Sequence, residues 1–217
     1  MKKEKISRLL LAAAGILMVG MGVAFNAAAG LGNDPVGMVY DGIRNAANLS
    51  SEQLGTASNI VNVILGVVVF ITGRKYISIG TFLNILLYGI SVDLGGGLYR
   101  LIFRVQTLPV RICGAVLGCT LLYTGVAMFI TADIGLDPFS GIVMVLRDRL
   151  KKEYRYVKIG FDIGCIVLGT VLGGTLGVIT IVTALTAGPV IQFAADRIGG
   201  FWDKRWKRWR TEGENIV

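Results

Sequence analysis

The chain has 217 residues, of which 53% are hydrophobic and 17% charged, and its mean hydropathy is +0.66. This composition is too apolar for a soluble domain of this length, and the absence of histidine excludes histidine metal sites and histidine proton relays. The net charge of +8 comes from basic residues clustered between and after apolar runs, a pattern that orients membrane proteins, so no nucleic-acid partner is expected. The three cysteines form no CxxC pair, and we expect no metal site and no cofactor.

The first apolar run, residues 9–29, carries no charge and is long enough to span a bilayer, which takes about 20 residues. Lysines at 2, 3 and 5 precede it and three alanines end it, which also fits a cleaved signal peptide. The run is long for a signal, however, and its end is repeated inside the chain. We therefore expect a retained first span.

The repeated segment, GVAFNAAAGLGNDP at residues 22–35, recurs as GVAMFITADIGLDP at residues 125–138, with seven of fourteen positions identical. In both copies an apolar run ends, a glycine follows, and then comes Asp-Pro. This order predicts a membrane helix that breaks, followed by a new helix with Asp as N-cap and Pro at its first position.

The segment after the first break, residues 34–48, covers only about 22 Å as a helix and is too short and too polar to cross. It is expected at the interface or partway inside the protein. The later elements are spans at about 53–72, 76–98 and 111–132, a short helix at 137–150, and spans at about 156–172 and 175–195, the last two separated by a turn at 173–175.

The offset between the copies stays at 103 through the fifth span and then falls to about 99. Each copy contains three spans, and an odd number requires the second copy to enter the membrane from the opposite side. The predicted fold is therefore all-α: a polytopic helical membrane protein with six spans as two inverted three-span repeats and short broken helices after spans 1 and 4. The predicted domains are a first repeat at 1–103, a second at 104–198 and a basic tail at 199–217.

Basic residues at 2–8, 74–75 and 147–158 and in the tail fall on one side of this topology, which predicts cytoplasmic N- and C-termini. In the tail, Trp202, Trp206 and Trp209 share one helix face among lysines and arginines. This pattern is typical of an interfacial helix held by tryptophans and anionic inner-leaflet lipid. A regulatory lipid sensor is the alternative.

The two breaks are the first candidate site. Paired broken helices of inverted repeats commonly meet near the membrane midplane and form the substrate site, which would bring Asp34 and Asp137 together. The alternative is that each Asp only caps its helix, a contribution of about 1 kcal/mol.

Polar residues inside the spans are the second candidate, because amides and carboxylates in hydrocarbon usually face the bundle interior or a pathway. The competing explanations are local: Asp162 lies four residues from Lys158 and can pair with it, and Asn84 can hydrogen-bond between helices. With the two break aspartates, the predicted substrate-binding residues are Asn26, Asp34, Asn59, Asn62, Asn84, Asp137, Asp162 and Thr183.

The motif GLGNDP at residues 30–35, its echo at 134–138 and the pattern IGTFLNILLYG at residues 79–89 resemble the YczE/YyaS/YitT family of bacterial membrane proteins, and its YczE branch most. The resemblance covers residues 9–198. It implies a bacterial inner-membrane protein and supplies no substrate or catalytic residue.

The functional expectation is a small permease with a solute or ion site between the broken helices, and the alternative is a non-transporting accessory or scaffold protein. An enzyme is not expected, because there is no GxxxxGK[ST] loop and neither aspartate lies in a GxGD motif. Acidic and amide groups favour a cation, amine or zwitterion, whereas helix N-termini favour an anion, so the charge of the substrate stays open. A homodimer is plausible.

Overall fold

The computed structural model describes the backbone of residues 2–214 and the side chains of residues 4–202. All regular structure in this part of the chain is helical, which confirms the all-α prediction. Two 3-10 turns, at Ser51–Gln53 and Arg74–Tyr76, join eight helices: α1 (Lys2–Ala29), α2 (Pro35–Ala46), α3 (Leu54–Thr72), α4 (Ile79–Ile102), α5 (Leu108–Ala132), α6 (Pro138–Leu150), α7 (Tyr154–Val171) and α8 (Val178–Glu214).

Five described helical segments are long and apolar enough to cross a membrane, as a polytopic membrane protein requires. They are Glu4–Ala29, Ser51–Thr72, Ile79–Ile102, Leu108–Ala132 and Val178–Trp202. The predicted fifth span, α7, is not among them, because its 18 residues include Arg155, Lys158 and Asp162. Membrane helices are thus confirmed, and the sixth crossing stays a prediction.

Helices α1 and α5 run antiparallel through the centre of the protein and cross at glycines. Gly22 lies against Gly118, and Gly15 lies against Gly125. A Cβ atom at Gly22 would stand 2.6 Å from the carbonyl oxygen of Gly118, and one at Gly125 would stand 2.6 Å from that of Gly15. Small residues let membrane helices approach this closely, so the crossing depends on these four glycines.

Arginines tie the ends of these two helices together. Near the start of α1, the guanidinium of Arg8 donates to the carbonyl oxygen of Ala132 at 3.3 Å. At the other end, Arg111 donates to the carbonyl oxygens of Ala29 and Gly30, both at 2.6 Å. These bonds satisfy C-terminal carbonyls that no helical N–H can reach.

The chain turns back into the protein after α1. The side-chain Nδ2 of Asn33 donates to the carbonyl oxygen of Val23 at 3.2 Å, so α2 begins about 9 Å inside the end of α1. Pro35 and all residues at 37–42 are buried. Of the two predicted placements for this short helix, the structure therefore has the one that dips into the protein.

The two breaks pack against the starts of two other helices. The backbone N–H of Ile179 in α8 donates to the carbonyl oxygen of Leu31 at 3.0 Å. At the second break, the N–H of Gly80 in α4 donates to the carbonyl oxygen of Ile134 at 3.1 Å. The loops that interrupt the membrane helices thus have partners for part of their polar backbone, as irregular structure in a membrane requires.

Packing differs between the helix pairs α3–α4 and α7–α8. Helix α3 lies along α4, and the side-chain oxygen of Asn59 accepts from the backbone N–H of Gly89 at 3.0 Å. Helices α7 and α8 barely touch in the described chain, and the space beside Gly188 is open. Pro189 follows inside α8 and removes one backbone hydrogen bond there.

Helix α8 continues without a break from the predicted sixth span into the predicted tail. Its 37 residues extend about 55 Å, well beyond the hydrocarbon thickness of a bilayer. Trp202, expected to face lipid, is half-buried and packs against the main core, and its indole Nε1 has no hydrogen-bond partner among the described residues. The side chains of Trp206 and Trp209 lie outside the described residues, so their lipid contact stays a prediction.

A charged cluster joins the end of α6 to the turn before α4. The carboxylate of Asp148 contacts the ammonium of Lys75 at 2.6 Å, the hydroxyl of Tyr76 at 2.5 Å and the guanidinium of Arg147 at 2.9 Å. Hydrogen bonds from Lys75, then Tyr76 and Arg147, hold the pKa of Asp148 well below its ordinary value.

This lowered pKa predicts a pH-dependent stability. Above pH 4 the Asp148 carboxylate is charged in both states and its contacts stabilise the fold. As the pH falls further, the unfolded state takes up a proton that the folded state does not, and this stabilisation is lost. We expect wild type to melt at a higher temperature than Asp148→Asn at pH 7, with a smaller difference at pH 3. A constant difference across this range would contradict the contacts.

Candidate functional site

The first break places Asp34 at the N-terminus of α2. Gly30 and Gly32, with φ of +63° and +101°, make the turn that reverses the chain, and such angles favour glycine. Asp34 then caps the helix: its Oδ2 accepts from the backbone N–H of Val36 at 3.2 Å and of Gly37 at 3.3 Å. Pro35 occupies the first helical position, where its missing N–H costs nothing.

The second break repeats this construction at α6. Gly135 has φ of +120°, and the Oδ2 of Asp137 accepts from the backbone N–H of Ser140 at 3.1 Å. The hydroxyl of Thr81 in α4 donates to the carbonyl oxygen of Leu136 at 2.6 Å and fixes the loop. The predicted capping of both short helices by Asp is confirmed.

Aromatic contacts join the middle of α2 to the first turn of α6. The ring of Tyr40 lies 5.6 Å from that of Phe139, in edge-to-face geometry, and 5.5 Å from that of Tyr88 in α4. Phe139 in turn lies 6.0 Å from Phe161 of α7. The middle of α2 and the first turn of α6, whose N-terminal end carries partial positive charge, therefore meet inside the helix bundle.

Three buried polar atoms on predicted site residues have no hydrogen-bond partner in the part of the chain that the structure describes. They are the second carboxylate oxygen of Asp34, Oδ1, and the side-chain Nδ2 atoms of Asn26 and Asn62. The side-chain oxygen of each amide does have a partner. The Oδ1 of Asn26 accepts from the thiol of Cys119 at 3.8 Å, and the Oδ1 of Asn62 accepts from the hydroxyl of Tyr40 at 3.2 Å. Unpaired buried polar groups are rare in folded proteins and need an explanation.

An acceptor and two donors are thus free on groups from the first break, α1 and α3. A bound solute or water can supply the missing partners. Helix α7 adds charge nearby, because the Lys158–Asp162 ion pair lies within electrostatic range of Asp34. Among the described residues no three histidine, cysteine, aspartate or glutamate side chains are grouped closely enough to hold a metal ion.

The remaining predicted site residues have local partners or none. Asn59 bonds to the backbone of α4, and Asp162 pairs with Lys158, as its alternative reading expected. The hydroxyl of Thr183 donates to the carbonyl oxygen of Thr180 one turn earlier. Asn84 is buried, with 7% of its surface exposed. In the described chain, Asn26, Asp34 and Asn62 therefore each keep one buried atom without a partner, whereas Asn59, Asp137, Asp162 and Thr183 have partners within the protein.

Two aromatic residues of this centre, Tyr40 and Tyr88, were not predicted. Both are buried, and their rings contact each other between α2 and α4. The sequence offered a signal for Tyr40, which stands beside Asp41 in a polar 12-residue helix. A tyrosine hydroxyl that is buried nearly always requires a hydrogen-bond partner.

The comparisons with known proteins agree with these membrane helices. Two relatives cover most of the chain. An uncharacterized protein of Haemophilus influenzae is 26% identical over 189 residues, which is 87% of this chain and 83% of the relative. An uncharacterized membrane protein, YczE of Bacillus subtilis, is 23% identical over 195 residues, which is 89% of this chain and 88% of the relative. No solved structure matches.

The family comparison covers nearly the same region. Residues 6–196 match a family of unknown function, DUF6198. With the match to YczE, this confirms the YczE-like resemblance predicted from the glycine-Asp-Pro motifs. The chain is therefore a membrane protein that belongs to the DUF6198 family.

Proposed function

We propose that the protein is a small secondary transporter, a permease rather than an enzyme, with a solute or ion site between its two Asp-Pro broken helices. It lies in the bacterial inner membrane with both termini in the cytoplasm. The observation that carries the proposal is the contact of α2, the helix that Asp34 caps, with the first turn of α6, together with the buried Oδ1 of Asp34, which has no partner in the described chain.

Matched contacts support two inverted three-span repeats. An offset of 103 residues converts the Gly15–Gly125 contact into the Gly118–Gly22 contact, as expected for two units related by a two-fold axis. The loop hydrogen bonds behave alike: Leu31 with Ile179 corresponds to Ile134 with Gly80, at offsets of 103 and 99. Antiparallel α1 and α5 are what an odd number of crossings per repeat produces.

The contacts of α7 support a sixth crossing. Asn45, near the end of α2, donates to the carbonyl oxygen of Gly173 just beyond α7, and Gly42 lies against Gly169 within it. At its other end, Val157 packs among residues of α6. A helix that joins these two regions passes through the bundle, and its Lys158–Asp162 pair reduces the cost of its charges.

The unequal packing of α3–α4 and α7–α8 fits a protein with two states. In the second repeat, Asp162 corresponds to Asn59 and Gly188 corresponds to Gly89. Asn59 contacts Gly89, but Asp162 does not contact Gly188. Alternating access moves one repeat against the other around a fixed site. Helix α8, which lacks one backbone hydrogen bond at Pro189 and barely touches α7 in the described chain, is the element best placed to move.

A non-transporting scaffold is the second candidate, and the local partners of Asn59 and Thr183 favour it. In that role the polar residues only specify helix packing, as interhelical hydrogen bonds do in many bundles. The two functions differ in whether any solute stabilises the folded protein.

The test is a thermal-shift screen of the purified protein against single ions, amines, amino acids and carboxylates, followed by uptake of each active compound into proteoliposomes. A permease should show a concentration-dependent rise in melting temperature with at least one compound, since a ligand stabilises the state it binds. Alanine variants at Asp34, Asp137 and Asn84 should weaken that shift. If no compound raises the melting temperature or is taken up, and the three variants only melt earlier, the scaffold function is correct.

A further inference from the structure

A charged cavity of about 350 Å³ lies between α1, α2 and α4, on the side of the protein where α1 ends. Its apolar wall comes from Ala24, Ala27 and Ala28 of α1 and Val92 of α4. A larger depression of about 630 Å³ lies between α6 and α7, but its lining is almost wholly apolar and offers little to orient a polar ligand.

Both signs of charge line the smaller cavity. Its five charged residues are Asp41, Arg44, Glu52, Asp93 and Arg100. They come from α2, the turn before α3, and α4, whereas α1 supplies only alanines to the lining.

These charges are only partly paired with one another. Asp41 and Arg44 form a close ion pair at 2.9 Å, yet the buried Nε of Arg44 has no hydrogen-bond partner within the described chain. Arg100 and Glu52 are 3.4 Å apart and both more than half exposed, which makes the pair weak. Asp93 accepts one backbone hydrogen bond, from Gly55 at 2.8 Å.

We propose that this cavity binds a small zwitterion of the amino-acid type, with its carboxylate near Arg44 and Arg100 and its ammonium near Asp93 and Glu52. A simple anion leaves Asp93, which has no cationic partner among the described residues, without a counter-charge, and a simple cation leaves the Nε of Arg44 without an acceptor. A ligand that is neutral overall but carries separated charges satisfies both sets. The alanine wall accommodates a small apolar side chain.

This site is separate from the centre at Asp34. The proposal therefore goes beyond the proposed function, and its test does not depend on whether that function is correct. No residue of the Asn26, Asp34 and Asn62 group lines the cavity.

The experiment measures the melting temperature of the full-length protein in detergent with L-alanine, L-leucine or glycine betaine. Each amino acid is compared with its amide, which lacks the carboxylate, and with its N-acetyl derivative, which lacks the ammonium. We expect at least one zwitterion to raise the melting temperature, and both derivatives of an active amino acid to require at least tenfold higher concentration. No shift with any zwitterion, or equal shifts with the derivatives, would overturn the proposal.

Variants then locate the binding. Asp93→Asn keeps an acceptor for Gly55 but removes the charge, and Arg100→Gln removes a guanidinium; either change should weaken the shift at least tenfold. Arg104→Gln, an exposed arginine outside the cavity lining, is the matched control and should bind as wild type does. A shift that persists in both cavity variants but disappears in Asp34→Asn would assign the ligand to the central site instead.

Discussion

A Gly22→Ala variant is expected to melt at a lower temperature than wild type and to lose about 1–3 kcal/mol of stability, the usual cost of overpacking. The new methyl group would stand 2.6 Å from both the carbonyl oxygen of Gly118 and the backbone nitrogen of Leu122. These are backbone atoms, which cannot rotate aside as a side chain does. Helices α1 and α5 must therefore separate, and their contact is the most extensive between helices in the described chain.

The matched control is Gly164→Ala in α7. No atom lies within 4 Å of a Cβ built there, so the change adds helix propensity without a clash. Replacing a mid-helix glycine with alanine stabilises a helix by about 0.5–1 kcal/mol. The two variants should consequently shift the thermal unfolding midpoint in opposite directions. An equal rise in both would show that α1 and α5 do not meet at Gly22.

The positions of the helices and of both breaks were predictable because the local sequence determines them. Asp137 followed by Pro138 specifies a helix start through a side-chain cap and a fixed φ, whatever surrounds it. The turn at residues 173–175 likewise needs only small residues, and Gly173 adopts φ of +87° there. Local chemistry of this kind survives in any tertiary context.

The neighbours of each helix were not predictable in the same way. Repeat matching aligned Gly22 with Gly125, but it did not reveal that Gly22 contacts Gly118, because the rotation of each helix is set by packing as a whole. The continuous α8 is a related case: the sequence 196–205 contains glycines and charges that suggested a new segment, yet none of them obliges the helix to stop.

The candidate site shows the same division. The repeat identified Asp34 from its position in the motif. Asn59 and Asn62 are chemically equivalent amides one turn apart, and only the structure distinguishes them: Asn59 faces the backbone of Gly89, whereas the Nδ2 of Asn62 has no partner. Which amide lacks a partner depends on the group that lies opposite each residue in the folded protein. The amino-acid sequence does not specify that group.

An Asp34→Asn variant separates capping from ligand binding. Asparagine caps a helix as well as aspartate does, so the melting temperature without ligand should not fall below that of wild type. The carboxylate charge and its free Oδ1 acceptor are lost, and we expect uptake of any transported compound to fall at least tenfold. Asp34→Ala should lose uptake and, in addition, about 1 kcal/mol of stability, because the N–H groups of Val36 and Gly37 lose their acceptor.

Asp133→Asn is the control for this pair. Asp133 is exposed at the second break, and its φ of +49° is one that asparagine adopts readily, so stability and uptake should both be unchanged. Wild-type uptake in Asp34→Asn, with only a lowered melting temperature in Asp34→Ala, would show that Asp34 caps α2 and binds nothing. A carboxylate held inside a membrane protein with one oxygen unpaired is costly, and capping uses only its other oxygen. The free oxygen is the reason to expect that the charge has a second role.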